Sequence, residues 1–138
     1  MFRLAPLALC AALAAVMATA APADPGTPLT PEEFDALSRG RTLTYAAGGQ
    51  IYGIEQYLPG RKVRWAFVGD ICKEGTWFPD GEDICFAYDG LPDLQCWTFY
   101  DTPEGLTARF RGDPASEPLV AIDDSPEPLG CAGPDVGV

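Results

Sequence analysis

The stretch GDICKEGTWFPDGEDICFAYDGLPDLQCWTF, from Gly69 to Phe99, constrains this chain most, because three cysteines and two turn clusters punctuate its runs of aromatic and branched residues. Pro79-Asp80-Gly81 and Asp89-Gly90-Leu91-Pro92 divide it into three segments that alternate with a period of two, which predicts an antiparallel meander. A hairpin centred on Asp80 and Gly81 sets Trp77 opposite Ile84, and a second turn centred between Gly90 and Leu91 sets Trp97 opposite Ile84 from the other side. Trp77, Ile84, Phe86, Tyr88, Trp97 and Phe99 then share one face. On the reverse face Cys85 meets Cys96, close enough for a disulfide across a narrow pair, and Cys72 points the same way.

The chain opens with the marks of a secretory leader over residues 1–23: an early Arg3, an apolar run from Leu4 to Val16, and small-residue exits at Ala18-Thr19-Ala20 and Ala21-Pro22-Ala23. The run is shorter than the ~20 residues a bilayer crossing needs. Cys10 is expected to leave with this leader, which makes residues 24–29 a linker and residues 30–138 a single domain. Twenty acids and eight bases remain after Arg3 is lost, a balance of 8 − 20 = −12 that argues against nucleic acid as a partner. Cys72, Cys85, Cys96 and Cys131 form an even set, read as two disulfides in an oxidising, periplasmic or secreted setting. With no C-x-x-C pair among these four and no histidine in the chain, a zinc site is not expected. The hairpin register favours Cys85 with Cys96, leaving Cys72 for Cys131 in the tail.

Thr30-Pro31-Glu32-Glu33 has the form of a helix start, with Thr30 as N-cap, Pro31 in the first turn and Glu33 placed to close a capping box. Phe34 and Leu37 lie on one side of this short helix and Gly40 stops it, so it reads as a plug over one end or edge of a sheet. Strand patterns follow at Leu43 and Tyr45, at Ile51 to Leu58, and at Val63, Trp65 and Phe67. In the second of these both faces carry apolar groups, and Tyr52 and Ile54 are taken as its inward set over Gly53 and Glu55. Leu106, Ala108 and Phe110 alternate in a later strand, and Leu119 to Ile122 end the series before Asp123-Asp124. The expected fold is therefore mainly β, an antiparallel meander of about eight strands forming a small barrel or curled sheet, with one short N-terminal helix. A two-sheet sandwich is the alternative.

Catalysis is hard to build from these residues. Histidine and asparagine are absent, so a serine or cysteine nucleophile lacks its usual base. A carboxylate-dependent hydrolase would have to draw on Asp70, Glu74, Asp80, Glu82 and Asp83, acids that turns recruit for backbone reasons. The same acids do not match an EF-hand loop for calcium. Arg61, Lys62 and Arg64 form a basic cluster and the candidate anion contact, although charges on a strand's solvent face commonly serve to prevent stray pairing. Trp65, Phe67, Trp77, Phe86, Tyr88, Trp97 and Phe99 are the candidates for core or ligand lining; in a narrow barrel they fill the interior, in a wide one they line a cavity. The filled interior is the expectation.

Gly75-Thr76-Trp77, Ile84-Cys85-Phe86-Ala87-Tyr88, Cys96-Trp97-Thr98-Phe99 and the ending Cys131-Ala132-Gly133-Pro134-Asp135-Val136-Gly137-Val138 resemble small exported proteins of alphaproteobacteria. That resemblance implies a periplasmic or secreted setting and brings no catalytic residues. The meander and the Gly-x-Trp element also resemble, in architecture alone, the lipocalin-like barrels, which include bacterial metalloprotease inhibitors. The expected function is that of a non-catalytic interaction module without cofactors, whose partner is a periplasmic protein; the alternative is a carrier of a small apolar ligand.

Overall fold

In the computed structural model, which describes residues 26–67 and 70–131, eight antiparallel strands close into a barrel in sequence order, with the last strand paired to the first. The expected leader (residues 1–23), Val68, Gly69 and the last seven residues lie outside the described segments. The strands are β1 (Thr42–Ala47), β2 (Gln50–Leu58), β3 (Lys62–Phe67), β4 (Lys73–Asp80), β5 (Asp83–Tyr88), β6 (Gln95–Thr102), β7 (Gly105–Phe110) and β8 (Leu119–Ser125), preceded by helix α1 (Pro31–Ser38). Closure removes both exposed edges, which a sandwich would have kept.

Short turns set the order. Gly48 and Gly49, both at positive φ, make the two-residue connection between β1 and β2 that the right-handed twist of a hairpin favours. The β4–β5 turn falls one residue later than the sequence suggests, on Gly81 and Glu82, with Asp80 opposite Asp83 and Trp77 opposite Phe86 rather than Ile84. Glycine at Gly81 supplies the positive φ (61°) that a turn on Asp80 would have demanded of an aspartate. The resulting shift is an even number of residues, so the inward face is unchanged. Trp97 does lie opposite Ile84, and Cys85 opposite Cys96.

Both disulfides form, Cys85 with Cys96 and Cys72 with Cys131. The first joins a narrow pair whose Cα atoms are 4.0 Å apart. The second ties the chain beyond β8 to the residue just before β4. On its way there the tail is held by the Thr42 hydroxyl, which donates to the Glu127 carbonyl (2.6 Å), and by the Leu129 N–H, which donates to Gln56 Oε1 (3.2 Å). Two such bonds are the signature of an oxidising, extracytoplasmic environment. Among the described residues no helix is long and apolar enough to cross a membrane.

The helix forms for the reasons its sequence announces. The Thr30 hydroxyl oxygen accepts from the Glu33 N–H, the Glu33 carboxylate accepts from the Thr30 N–H, and Pro31 occupies the first turn. It buries Ser38, whose hydroxyl donates to the Phe34 carbonyl, and places one ring, Phe34, which is fully buried. That ring packs on Tyr57, Trp77, Phe86 and Phe99 at centroid distances of 5.6, 5.1, 6.4 and 4.4 Å, and so stoppers the barrel end where β1 and β3 begin. Just ahead of the helix, the Leu29 N–H donates to the Phe99 carbonyl (2.8 Å), which fixes the entry of the chain. Leu43, Val63, Ile84 and Trp77 complete the dry layer around the stopper.

Candidate ligand cavity

The other half of the barrel is hollow. Above the layer of Tyr57, Phe86 and Phe99 lies a cavity of about 170 Å³ that opens at the end opposite the helix. The filled interior expected from the sequence thus holds for one half alone, because Phe34 occupies the closed half and no equivalent ring among the described residues enters the other. Ala108 and Leu119 form part of the wall where larger side chains would have closed the space.

Five of the seven candidate rings, Trp65, Phe67, Phe86, Trp97 and Phe99, line this cavity through their apolar faces, and Tyr88 contributes both ring and hydroxyl. Trp77 does not; it belongs to the closed half, where it meets Phe34 and carries the Arg61 guanidinium 4.7 Å above its ring. Leu91 and Gln95, from the β5–β6 connection and the start of β6, and Lys73, from the start of β4, reach the cavity from the rim.

The wall from β2 corrects the sequence reading. Gly53, Glu55 and Tyr57 face inward, and Ile54 does not. A bulge explains Tyr52: Tyr45 pairs with Gly53 and Ala46 with Ile51, so Tyr52 is the extra residue and swings to the mouth, 5.8 Å from Trp65 and 5.4 Å from Phe67. Gly53 has no side chain because the Trp65 ring lies where a Cβ would stand. That close approach lays the indole along the wall and keeps the mouth open.

Glu55 is the residue that sequence reasoning missed. It is 2% exposed, with Leu43 and Trp65 as its cross-strand neighbours, and its two carboxyl oxygens each lie 3.0 Å from the Tyr88 hydroxyl. Nearby, the Tyr45 and Tyr57 hydroxyls share a 2.8 Å hydrogen bond. Burial drives the Glu55 carboxyl well above the ordinary glutamate range, against the smaller opposing effect of the Tyr88 bond. Burial likewise raises Tyr45, Tyr57 and Tyr88, so these hydroxyls stay protonated.

A raised carboxyl has a consequence for stability. Between the ordinary glutamate range and the raised value, the folded state keeps a proton that the unfolded chain has released. Stability of the empty protein therefore falls as pH rises through that window, by ~1.4 kcal/mol per pH unit from this group. Glu55→Gln removes the slope. Urea unfolding of both proteins at about pH 5 and about pH 7 checks it: the gap should move in favour of the variant at the higher pH, and a constant gap would mean that Glu55 titrates normally.

The other candidates from the sequence do not converge on the cavity. Arg64 pairs with Glu74 at 2.5 Å on the outer wall, and Arg61 is committed to Trp77. Lys62 lies in a shallow outer depression beside Glu74 and Asp89. Of the acids, Asp70 accepts from the Ile71 N–H, Asp80 and Asp83 flank the β4–β5 turn containing Glu82, and Asp83 also accepts from the Thr98 hydroxyl. No family model, curated protein or solved structure matches the chain.

Proposed function

We propose that this protein is an exported, periplasmic binding protein for a small, largely aromatic molecule held in the open half of the barrel. The observation that carries the reading is the division of the interior. One half is closed by a dedicated ring on a dedicated helix, while the other is left hollow, lined by aromatic faces and open to solvent. An interior that served stability alone would be filled throughout, since unfilled apolar volume is destabilising. The interaction module expected from the sequence needs no such cavity.

Size limits the occupant. An apolar cavity of roughly 150 Å³ accommodates benzene, so about 170 Å³ with an open mouth suits a molecule of one ring with a short substituent. It is small for a fatty acid. The neutral probe 2-phenylethanol should therefore raise the thermal unfolding midpoint of the protein in a concentration-dependent way, because it binds the folded state alone. In Ala108→Leu, which grows a side chain from the β7 wall into the space, that rise should be lost while the fold is kept. No rise in the natural protein, or an equal rise in the variant, would remove the proposal.

A further inference from the structure

The cavity described above is apolar except where Glu55, the tyrosine hydroxyls, Gln95 and Lys73 enter it. Glu55 is the costly member. A buried carboxyl disfavours the empty protein, and a leucine at the same inward position would pack against Leu43 and Trp65 without that cost. The barrel does not consume its bonding capacity either. A carboxylate offers about four acceptor positions, and among the described residues the Tyr88 hydroxyl, with one hydrogen, is the donor that reaches it. Glu55 lines the cavity together with Trp65 and Tyr88.

A carboxylate inside a box of aromatic faces is the arrangement that recognises an organic cation. The ring faces attract positive charge, and the carboxylate takes the ammonium hydrogens. Resting on the small-molecule reading given above, we infer that the ligand is a small aromatic amine whose ammonium group docks on Glu55 and Tyr88. Its ring lies between Trp65, Tyr52 and Trp97. The acidic surface of the protein, −11 over the full chain, favours the approach of a cation.

The proton balance follows from the groups that face Glu55. Tyr88 from β5, Tyr57 on the same strand and Tyr45 from β1 are all neutral, and Lys73 from β4 lies at the rim without an ion pair among the described residues. Without ligand, burial favours the neutral acid at Glu55. When an ammonium ion enters, the carboxylate is favoured beside the cation and Glu55 gives the proton it holds to solvent, so up to one proton is released for each ligand bound. Affinity for the amine should rise with pH until Glu55 is ionised in the empty protein or the amine itself deprotonates.

The test is calorimetric titration of the folded, oxidised protein with 2-phenylethylamine and with its neutral counterpart 2-phenylethanol, in buffers of different ionisation enthalpy near neutral pH. The amine should bind about tenfold or more tightly than the alcohol, as one charge-assisted hydrogen bond implies, with a net release of protons that the alcohol does not show. Glu55→Gln, which keeps the side-chain shape and an acceptor for Tyr88, should abolish both the preference for the amine over the alcohol and the proton release. Equal or better binding of the alcohol, or an amine affinity indifferent to Glu55→Gln, would overturn this inference and leave the small-molecule reading standing. If neither compound binds, both fall together.

Discussion

Phe34→Ala should lower the unfolding free energy by about 3–5 kcal/mol, the range for deleting a fully buried phenylalanine ring. The effect is expected at the upper end of that range because of where the ring comes from. Phe34 is carried by a helix of eight residues that is too short to persist by itself. Its four aromatic neighbours belong to β2, β4, β5 and β6, so one side chain joins one helix to half the barrel. Without the ring, the space beneath Tyr57, Phe86 and Phe99 is left empty, and the helix loses its main anchor. Leu37→Ala, on the same helix but 44% exposed, should change stability by roughly 0.5 kcal/mol or less. Parallel urea denaturation of the two variants measures the difference. Similar losses for both would show that the helix is not a stopper.

Removing the Cys72–Cys131 bond should be nearly as costly. In the chain-entropy account a cross-link across 59 residues stabilises by about 4 kcal/mol and one across 11 residues by about 3. Cys72→Ala with Cys131→Ala should therefore destabilise more than Cys85→Ala with Cys96→Ala. The local contacts point the same way. Cys85 and Cys96 are already paired within the β5–β6 ladder, whereas the described part of the tail beyond β8 is held to β1 and β2 by the hydrogen bonds from Thr42 and to Gln56 once its bond is gone. The loss should also reach the cavity, because Cys72 directly precedes Lys73 at the rim. Denaturant midpoints of the two double variants decide the order, and a larger loss from the Cys85–Cys96 pair would contradict it.

Much of the barrel was legible in the residues. Turn clusters and two-residue alternation located the strands, and the capping box located the helix, because both are local signals. The cysteine pairing followed from the turn centred between Gly90 and Leu91, whose register places Cys85 opposite Cys96. What remained hidden depended on distant parts of the chain. Whether Trp77 fills or lines the interior turns on Phe34, more than forty residues earlier, entering one end of the barrel and not the other. The inward face of β2 was misread because Glu55 was assigned to solvent by its polarity, as most glutamates are. The loop between β2 and β3 decided the matter. Val63, Trp65 and Phe67 read as inward, and a two-residue turn on Pro59-Gly60 would set Gln56, Ile54 and Tyr52 opposite them, but Arg61 joins the loop at positive φ (59°), which sets Tyr57, Glu55 and Gly53 there instead. Cross-strand partners share a face, so the register of β3 outweighs the polarity of one residue on β2. The bulge that brings Tyr52 back to the mouth has no comparable local mark, since Gly48 and Gly49 specify the turn but not the extra residue beyond it.

The division of the interior into a stoppered half and a ligand-binding half is tested most directly by the three tryptophan indole N–H signals in nitrogen-15 correlation spectra. Trp65 and Trp97 line the cavity, and Trp77 lies in the closed half beneath Arg61. On addition of 2-phenylethylamine or 2-phenylethanol, the signals of Trp65 and Trp97 should move and saturate while that of Trp77 stays in place. Unmoved Trp65 and Trp97 signals, or a Trp77 signal that moves as far as theirs, would contradict the account.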